Sequence, residues 1–215
     1  MYESLSRKNF LNLLADRDYV LFKNIELDWQ QATTECESLV IKHPEYWTSL
    51  IPDQVEAWDE LGKTYQSSLH NSLTWGYNQH NTKSWETTAR LPKLVLSWEQ
   101  QCIKQLPISQ GIARPTCQPP GNSMPWHVDS FILWKRDNLF SEFVIRFIIF
   151  HEDWKKGQIL QAGDSPITNW KAGDAVTWHP DRWHLSGNSG IENKWTTAVT
   201  GILQEEILVD AQFFI

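Results

Sequence analysis

From Ile112 onward, short runs of β-branched and aromatic residues alternate with clusters of turn residues. The runs are Phe131 to Trp134, Phe143 to Phe150, Gln158 to Gln161, Ala175 to Trp178 and Thr196 to Leu203. Turn chemistry separates them at Pro119 to Asn122, Lys156-Gly157, Ala162 to Asp164, Lys171 to Asp174 and Ser186 to Gly190. Short strands at this spacing predict a sandwich or barrel, because each apolar strand face needs a second sheet to cover it. The first half has a different texture. From Ser4 to about Leu106 apolar residues recur at helical spacing: Phe10, Leu13 and Leu14; then Trp29, Ala32, Cys36, Leu39 and Val40; then Leu91, Leu94, Val95, Trp98 and Cys102. Between Pro52 and Lys83 the pattern weakens, which predicts irregular loops with a short helix or strand. A chain of 215 residues can bury one sizeable core. The expectation is therefore a single domain, 1–215, with 1–110 as a helical and irregular flank packed outside a β core of 111–215.

Composition narrows the function classes. The net charge is −7, from 26 acidic and 19 basic residues, and no basic run exceeds a pair. A surface that tracks phosphates needs clustered Lys and Arg, so nucleic acid and polybasic membrane contacts are disfavoured. The longest apolar run, around Phe143 to Phe150, is broken by Arg146 and is far shorter than a bilayer span. Glu3, Arg7 and Lys8 interrupt any secretory h-region. Cys36, Cys102 and Cys117 are too widely spaced for a CxxC site, which fits a reducing cytoplasm. Thirteen tryptophans suit a sheet core or the wall of an aromatic pocket.

The chemistry centres on Pro125-Trp126-His127-Val128-Asp129. On an extended strand residues i and i+2 project from one face, so the His127 imidazole and the Asp129 carboxylate can converge on one ion. A further histidine, one strand beyond the glycine turn at Gly173-Asp174, can return to that position if the strands wind as a jelly roll. Both His179 and His184 stand there. Two histidines and one carboxylate on one face of an iron leave positions open for a chelating ligand and O₂.

The C-terminal half, roughly Ile112 to Leu203, resembles the 2-oxoglutarate and iron(II) dependent oxygenases, and within them the prolyl 4-hydroxylase branch. The matching pieces are His127-Val128-Asp129, the Gly173-Asp174 turn before a strand, His184, and Asn193-Lys194-Trp195, with Lys194 ten residues after His184. The resemblance implies a mainly β fold, a double-stranded β-helix of jelly-roll, cupin-like type with N-terminal helices packed outside. It implies iron(II) on His127, Asp129 and His184 rather than His179, and 2-oxoglutarate as co-substrate. Lys194 would meet the far carboxylate of that keto acid, with Thr196 on the same face beside it. The implied activity is O₂-dependent hydroxylation of an unactivated C–H bond in an amino-acid residue, a free amino acid or another small molecule. Two departures bear on the substrate: the stretch Arg114 to Met124 lacks the tyrosines of that branch, and a charged segment, Lys135 to Glu142, follows Asp129.

Arg146 is the competing anchor, since a charge inside the most hydrophobic strand must find a partner. Glu142 or Asp153 would satisfy it, or a ligand carboxylate if it faces the pocket. Met124, Trp126, Trp134 and Trp183 are candidate pocket walls by adjacency to the ligands. A second reading keeps the fold without oxygenase chemistry, as a cupin-like metal-binding isomerase or small-ligand binding protein. Such a protein needs the metal ligands but no keto-acid anchor, so Lys194 and Arg146 discriminate the two.

Overall fold

A computed structural model describes residues 2–49, 75–86, 94–129, 131, 134 and 141–210. The strands are β1 (Tyr2–Ser6), β2 (Val20–Asn24), β3 (Trp47–Ser49), β4 (Lys83–Glu86), β5 (Ile108–Gln118), β6 (Asn122–His127), β7 (Val144–Phe150), β8 (Gln158–Ala162), β9 (Ser165–Ile167), β10 (Asp174–Thr177), β11 (His184–Asn188), β12 (Lys194–Leu203) and β13 (Glu206–Asp210). The helices are α1 (Arg7–Ala15), α2 (Trp29–Lys42) and α3 (Glu99–Ile103). Seven strands form a major sheet in the order β2-β10-β7-β12-β5-β4-β3, and four form a minor sheet, β6-β11-β8-β9. This is a double-stranded β-helix, mainly β, with helices on the outer face of the major sheet.

Alternation along β7 explains the layering. Ile145, Phe147 and Ile149 are fully buried on the outer face, where they pack with Phe10, Leu14, Ile25, Trp29 and Cys36 from the helical part. Val144, Arg146, Ile148 and Phe150 point the other way, into the space between the sheets. The helices start where the sequence supplies caps: Ser6 Oγ accepts from Asn9 N–H at 3.3 Å and Asp28 from Gln31 N–H at 2.9 Å. At the turn into β10, Gly173 takes φ +88°, and a Cβ there would meet the Ile25 carbonyl oxygen at 2.7 Å. Only glycine fits that close approach.

Several expectations change. The N-terminal part contributes strands as well as helices: β2 joins one edge of the major sheet, β3 and β4 the other, and β1 pairs with β13. Of the expected strand Phe131 to Trp134 only the two ends are described and neither is strand: Phe131 has φ 49° and Trp134 lies in helical backbone. Of the third expected helix only Glu99–Ile103 is helical; Leu94 and Val95 are not, and Leu91 lies outside the described residues. The expectation for Pro52 to Lys83 falls outside them through residue 74. Among the described residues no helix is long and apolar enough to cross a membrane.

The outer layer is pinned by a buried histidine. Thr33 Oγ1 donates to the Trp29 carbonyl at 2.8 Å, so it accepts from His151 Nδ1 at 3.2 Å, and Thr197 Oγ1 donates to Nε2 at 2.6 Å. Trp29, Trp98 and Trp195 surround the ring, and burial pushes its pKa down to about 3. The unfolded imidazole, at its ordinary 6.5, takes up a proton that the folded one refuses. Stability held at neutral pH is therefore lost as pH falls through 6.5 towards 3. Urea unfolding should show this group removing about 2 kcal/mol between about pH 7.5 and 5. His151→Gln should lose correspondingly less over the same interval. An equal loss in both proteins would show that acid sensitivity arises elsewhere.

Candidate metal centre

His127 closes β6 and His184 opens β11, and the two are direct partners in the antiparallel ladder. The register then slips, because Ser186 pairs with Met124, leaving two residues of β6, Pro125 and Trp126, opposite the single Leu185. This β-bulge lets Met124 and His127, an odd number of residues apart, both face the interior. Proline suits it, having no N–H to leave unpaired. The imidazole rings lie 4.1 Å apart between centroids, and Asp129 follows two residues after His127.

Ligand atoms of His127, Asp129 and His184 all lie within 4.8 Å of one another. His127 Nδ1 donates to the Pro125 carbonyl at 2.8 Å and His184 Nδ1 to the Arg182 carbonyl at 3.0 Å. Carbonyls only accept, so both rings carry their proton on Nδ1 and present a bare Nε2. Burial lowers the His127 pKa, and that of His184 falls to about 3 through burial and the neighbouring His127. Burial alone would raise the Asp129 carboxyl, but Arg146, His184 and His127 outweigh it and hold it below the usual carboxylate range. Two neutral imidazoles and an ionised carboxylate are the protonation states a divalent cation requires. The donor set fits iron(II).

Arg146 meets neither Glu142 nor Asp153. Its Nη1 pairs with Asp129, its Nε donates to Thr200 Oγ1 at 3.1 Å, and Asp153 pairs with Lys171 instead. The guanidinium faces the interior, with its charge engaged by one of the three converging groups. His179 stays apart, its Nδ1 accepting from Asp181 N–H at 3.3 Å beside an outer groove with Asp18, Arg182 and Trp183.

The two histidines, with Arg146, the partner of Asp129, border a cavity of about 100 Å³. Register fixes its floor. Lys194, Thr196, Ala198 and Thr200 alternate along β12; Gln118, Thr116 and Arg114 face the first three from β5, and Arg146 faces Thr200 from β7. Lys194 is 2% exposed and lies at the end of this row away from Arg146. Its Nζ donates to the Ile159 carbonyl and to Ser186 Oγ at 2.8 Å, and sits 5.5 Å from the Trp170 ring centroid. No carboxylate pairs with it among the described residues, and burial pulls its pKa down to about 7. Ser186 stands two residues, about 7 Å, along β11 from His184, so the hydroxyl that holds the ammonium lies on the same face as that imidazole.

Of the expected pocket walls only Met124 lines the cavity, as does Thr196 from the co-substrate pair. Trp126 lies at the bulge. Trp183 is 50% exposed on the opposite side of β11 from the cavity and lines the outer groove. Trp134 packs on the apolar group of Phe131, Val144 and Ile202. The wall that adjacency missed is Trp178, whose ring lies 4.7 Å from that of His184 between centroids. Ser84, Glu86, Gln118 and Ser186 also line the cavity; only Ser186, two residues from a ligand on a strand, carried a readable signal.

No protein-family model matches the sequence, and no curated protein is similar to it at a significant level. Solved structures do match. The nickel complex of ThoJ, a non-haem monooxygenase, is 15% identical with a TM-score of 0.52, covering 88% of this chain and 77% of that one. Its apo form is 14% identical with a TM-score of 0.50 over the same shares. A prolyl-4-hydroxylase from Pseudomonas putida is 15% identical with a TM-score of 0.47, covering 94% and 97%. At this identity the likeness speaks for the fold alone: the chain shares the double-stranded β-helix fold of the non-haem monooxygenase ThoJ.

Proposed function

We propose that the protein is a 2-oxoglutarate-dependent, non-haem iron(II) oxygenase that hydroxylates an amino-acid residue, a free amino acid or another small molecule. The observation that carries this reading is a two-histidine, one-carboxylate group whose histidines border the same cavity as a buried, anion-free Lys194. A cupin-like isomerase needs the first and has no use for the second, since an ammonium buried without a counter-ion is costly. A dianionic keto acid ending there would supply the missing charge through a charge-assisted hydrogen bond.

Iron(II) with 2-oxoglutarate supplies, when bound, the oxidative decarboxylation to succinate and CO₂ that couples O₂ to hydroxylation of a C–H bond. The protein's contribution is positional. His127 and His184 would hold the metal through Nε2, with each ring fixed by its Nδ1–H. Asp129 would supply the third ligand atom, kept ionised by Arg146. Lys194 and Thr196 would receive the far carboxylate. Trp178, Ile148, Leu160 and Met124 provide apolar walls that limit water near the reacting carbon.

Incubation with 2-oxoglutarate, O₂ and iron(II) should yield succinate, and omitting iron(II) or adding a chelator should stop it. A panel of free amino acids and peptides should raise the rate and gain one oxygen, read as +16 by mass spectrometry. Substrate-independent failure to form succinate, in protein that retains iron(II), would refute the proposal.

A further inference from the structure

Among the polar residues lining the cavity without a task in holding metal or keto acid, two on β4 stand out for having no partner of their own. Ser84 and Glu86 line it from β4, on one face two residues apart, while Trp85 between them is fully buried on the outer side. Ser84 is 4% exposed and its hydroxyl has no hydrogen-bond partner among the described residues. Glu86 makes no hydrogen bond or ion pair among them; Arg114 and Arg146 act on it only through space. A buried hydroxyl and a half-buried carboxyl without partners both cost stability, so their retention on one face of β4 points to a ligand.

Register decides what that ligand carries. Glu86 pairs with Thr116, which pairs with Thr196, so Glu86 stands one row along the floor from Lys194. A carboxylate at that distance repels a dianion and contributes nothing to anchoring 2-oxoglutarate. What it attracts is a cation or a strong donor. Burial pushes the Glu86 carboxyl up, and an arriving positive charge would draw it back towards the ionised form.

We propose that Ser84 and Glu86 form the subsite for the primary substrate, and that the substrate presents a protonated amine there, as an amino acid or other aliphatic amine does. The inference rests on the oxygenase reading for the position of the keto acid. The amine lies on the β4 wall, and the carbon chain that carries it extends towards His184 between Met124 and Trp178.

The test uses zinc(II)-loaded protein, in which no turnover occurs, saturated with 2-oxoglutarate and titrated calorimetrically. Probes are L-leucine, L-proline and L-lysine, each against a counterpart with the α-amine replaced by hydroxyl or acetylated, and L-lysine also against L-norleucine. At least one amine should bind about tenfold or more tightly than its neutral counterpart, and Glu86→Gln should remove about tenfold to a hundredfold of that affinity. Ser84→Ala should cost less, about threefold to tenfold. In both variants 2-oxoglutarate affinity should stay within about twofold, and Glu86→Gln should melt no lower than wild type, since it removes an ionisable group that has no protein partner. Amines that bind no better than their neutral counterparts, or as well to Glu86→Gln as to wild type, overturn the inference and leave the oxygenase reading intact. Failure of 2-oxoglutarate itself to bind wild-type protein overturns the oxygenase reading instead.

Discussion

His184→Ala is expected to lose iron(II) on gel filtration, as are His127→Ala and Asp129→Ala, while His179→Ala retains it at wild-type stoichiometry. Each of the three supplies one ligand atom to a group whose members lie within 4.8 Å, so removing one leaves two donors and an open face. Changes to groups that only orient a ligand cost about 10- to 100-fold in metal affinity, and loss of a ligand should exceed that. Arg146→Met belongs in the lesser class. It frees Asp129 from its guanidinium partner and lets burial raise the carboxyl towards protonation, which competes with metal. Metal analysis of the five variants decides the assignment. Circular dichroism separates ligand loss from unfolding, and alanine at these positions removes ionisable groups from a buried site. Iron retained by His184→Ala and lost by His179→Ala would move the third ligand to the end of β10.

The part of this site legible in the sequence is the part that obeys period two on a continuous strand. Lys194 and Thr196 share a face of β12 as spaced, Asp129 converges with His127 although β6 ends at His127, and the apolar run Phe143 to Phe150 marks the central strand Val144–Phe150 between the two layers. The bulge at Pro125-Trp126 was not legible. A one-residue slip reverses every later side chain, and nothing local distinguishes the bulged strand from a regular one. The misplacement of Trp183 is different, because a residue adjacent to an inward-facing histidine on a strand must point outward, and there adjacency was the wrong criterion. Arg146 found Asp129 rather than Glu142 or Asp153 because its partner is set by how the two sheets face each other. Short strands such as Val20–Asn24, Trp47–Ser49 and Lys83–Glu86 gain their pairing from the major sheet and carry little alternation of their own. That is why the β4 wall of the cavity, with Ser84 and Glu86, lay hidden in a half that reads as helical.

Lys194→Ala should weaken 2-oxoglutarate binding by about thirty- to several-thousand-fold, or about 2 to 5 kcal/mol, while iron(II) stoichiometry survives. The readout is a titration of the anaerobic iron(II) protein, followed by the metal-to-keto-acid charge-transfer absorbance. A structural lysine and an anchoring lysine differ in stability. Burial holds the ammonium at about 7 against its ordinary 10.5, so the unfolded chain binds the proton more readily. The ligand-free protein therefore gains stability as pH rises from 7 to 10.5, and below that window the lysine subtracts its full cost. Lys194→Met removes that cost at similar volume, so its melting temperature at neutral pH should equal or exceed wild type without ligand. A lysine kept for stability would show the reverse. The same shift gives a pH signature, because binding the dianion above pH 7 first requires proton uptake by the free amine. Wild-type affinity should fall by up to about tenfold per pH unit above about 7, and the weak binding of Lys194→Met should not follow it. Lys194→Arg should restore only part of the affinity, since a planar fork cannot occupy the place of a compact ammonium between Ile159 and Ser186. Binding by Lys194→Ala within about threefold of wild type, with Arg146→Ala deficient in keto acid while still holding iron(II), would transfer the anchor to β7.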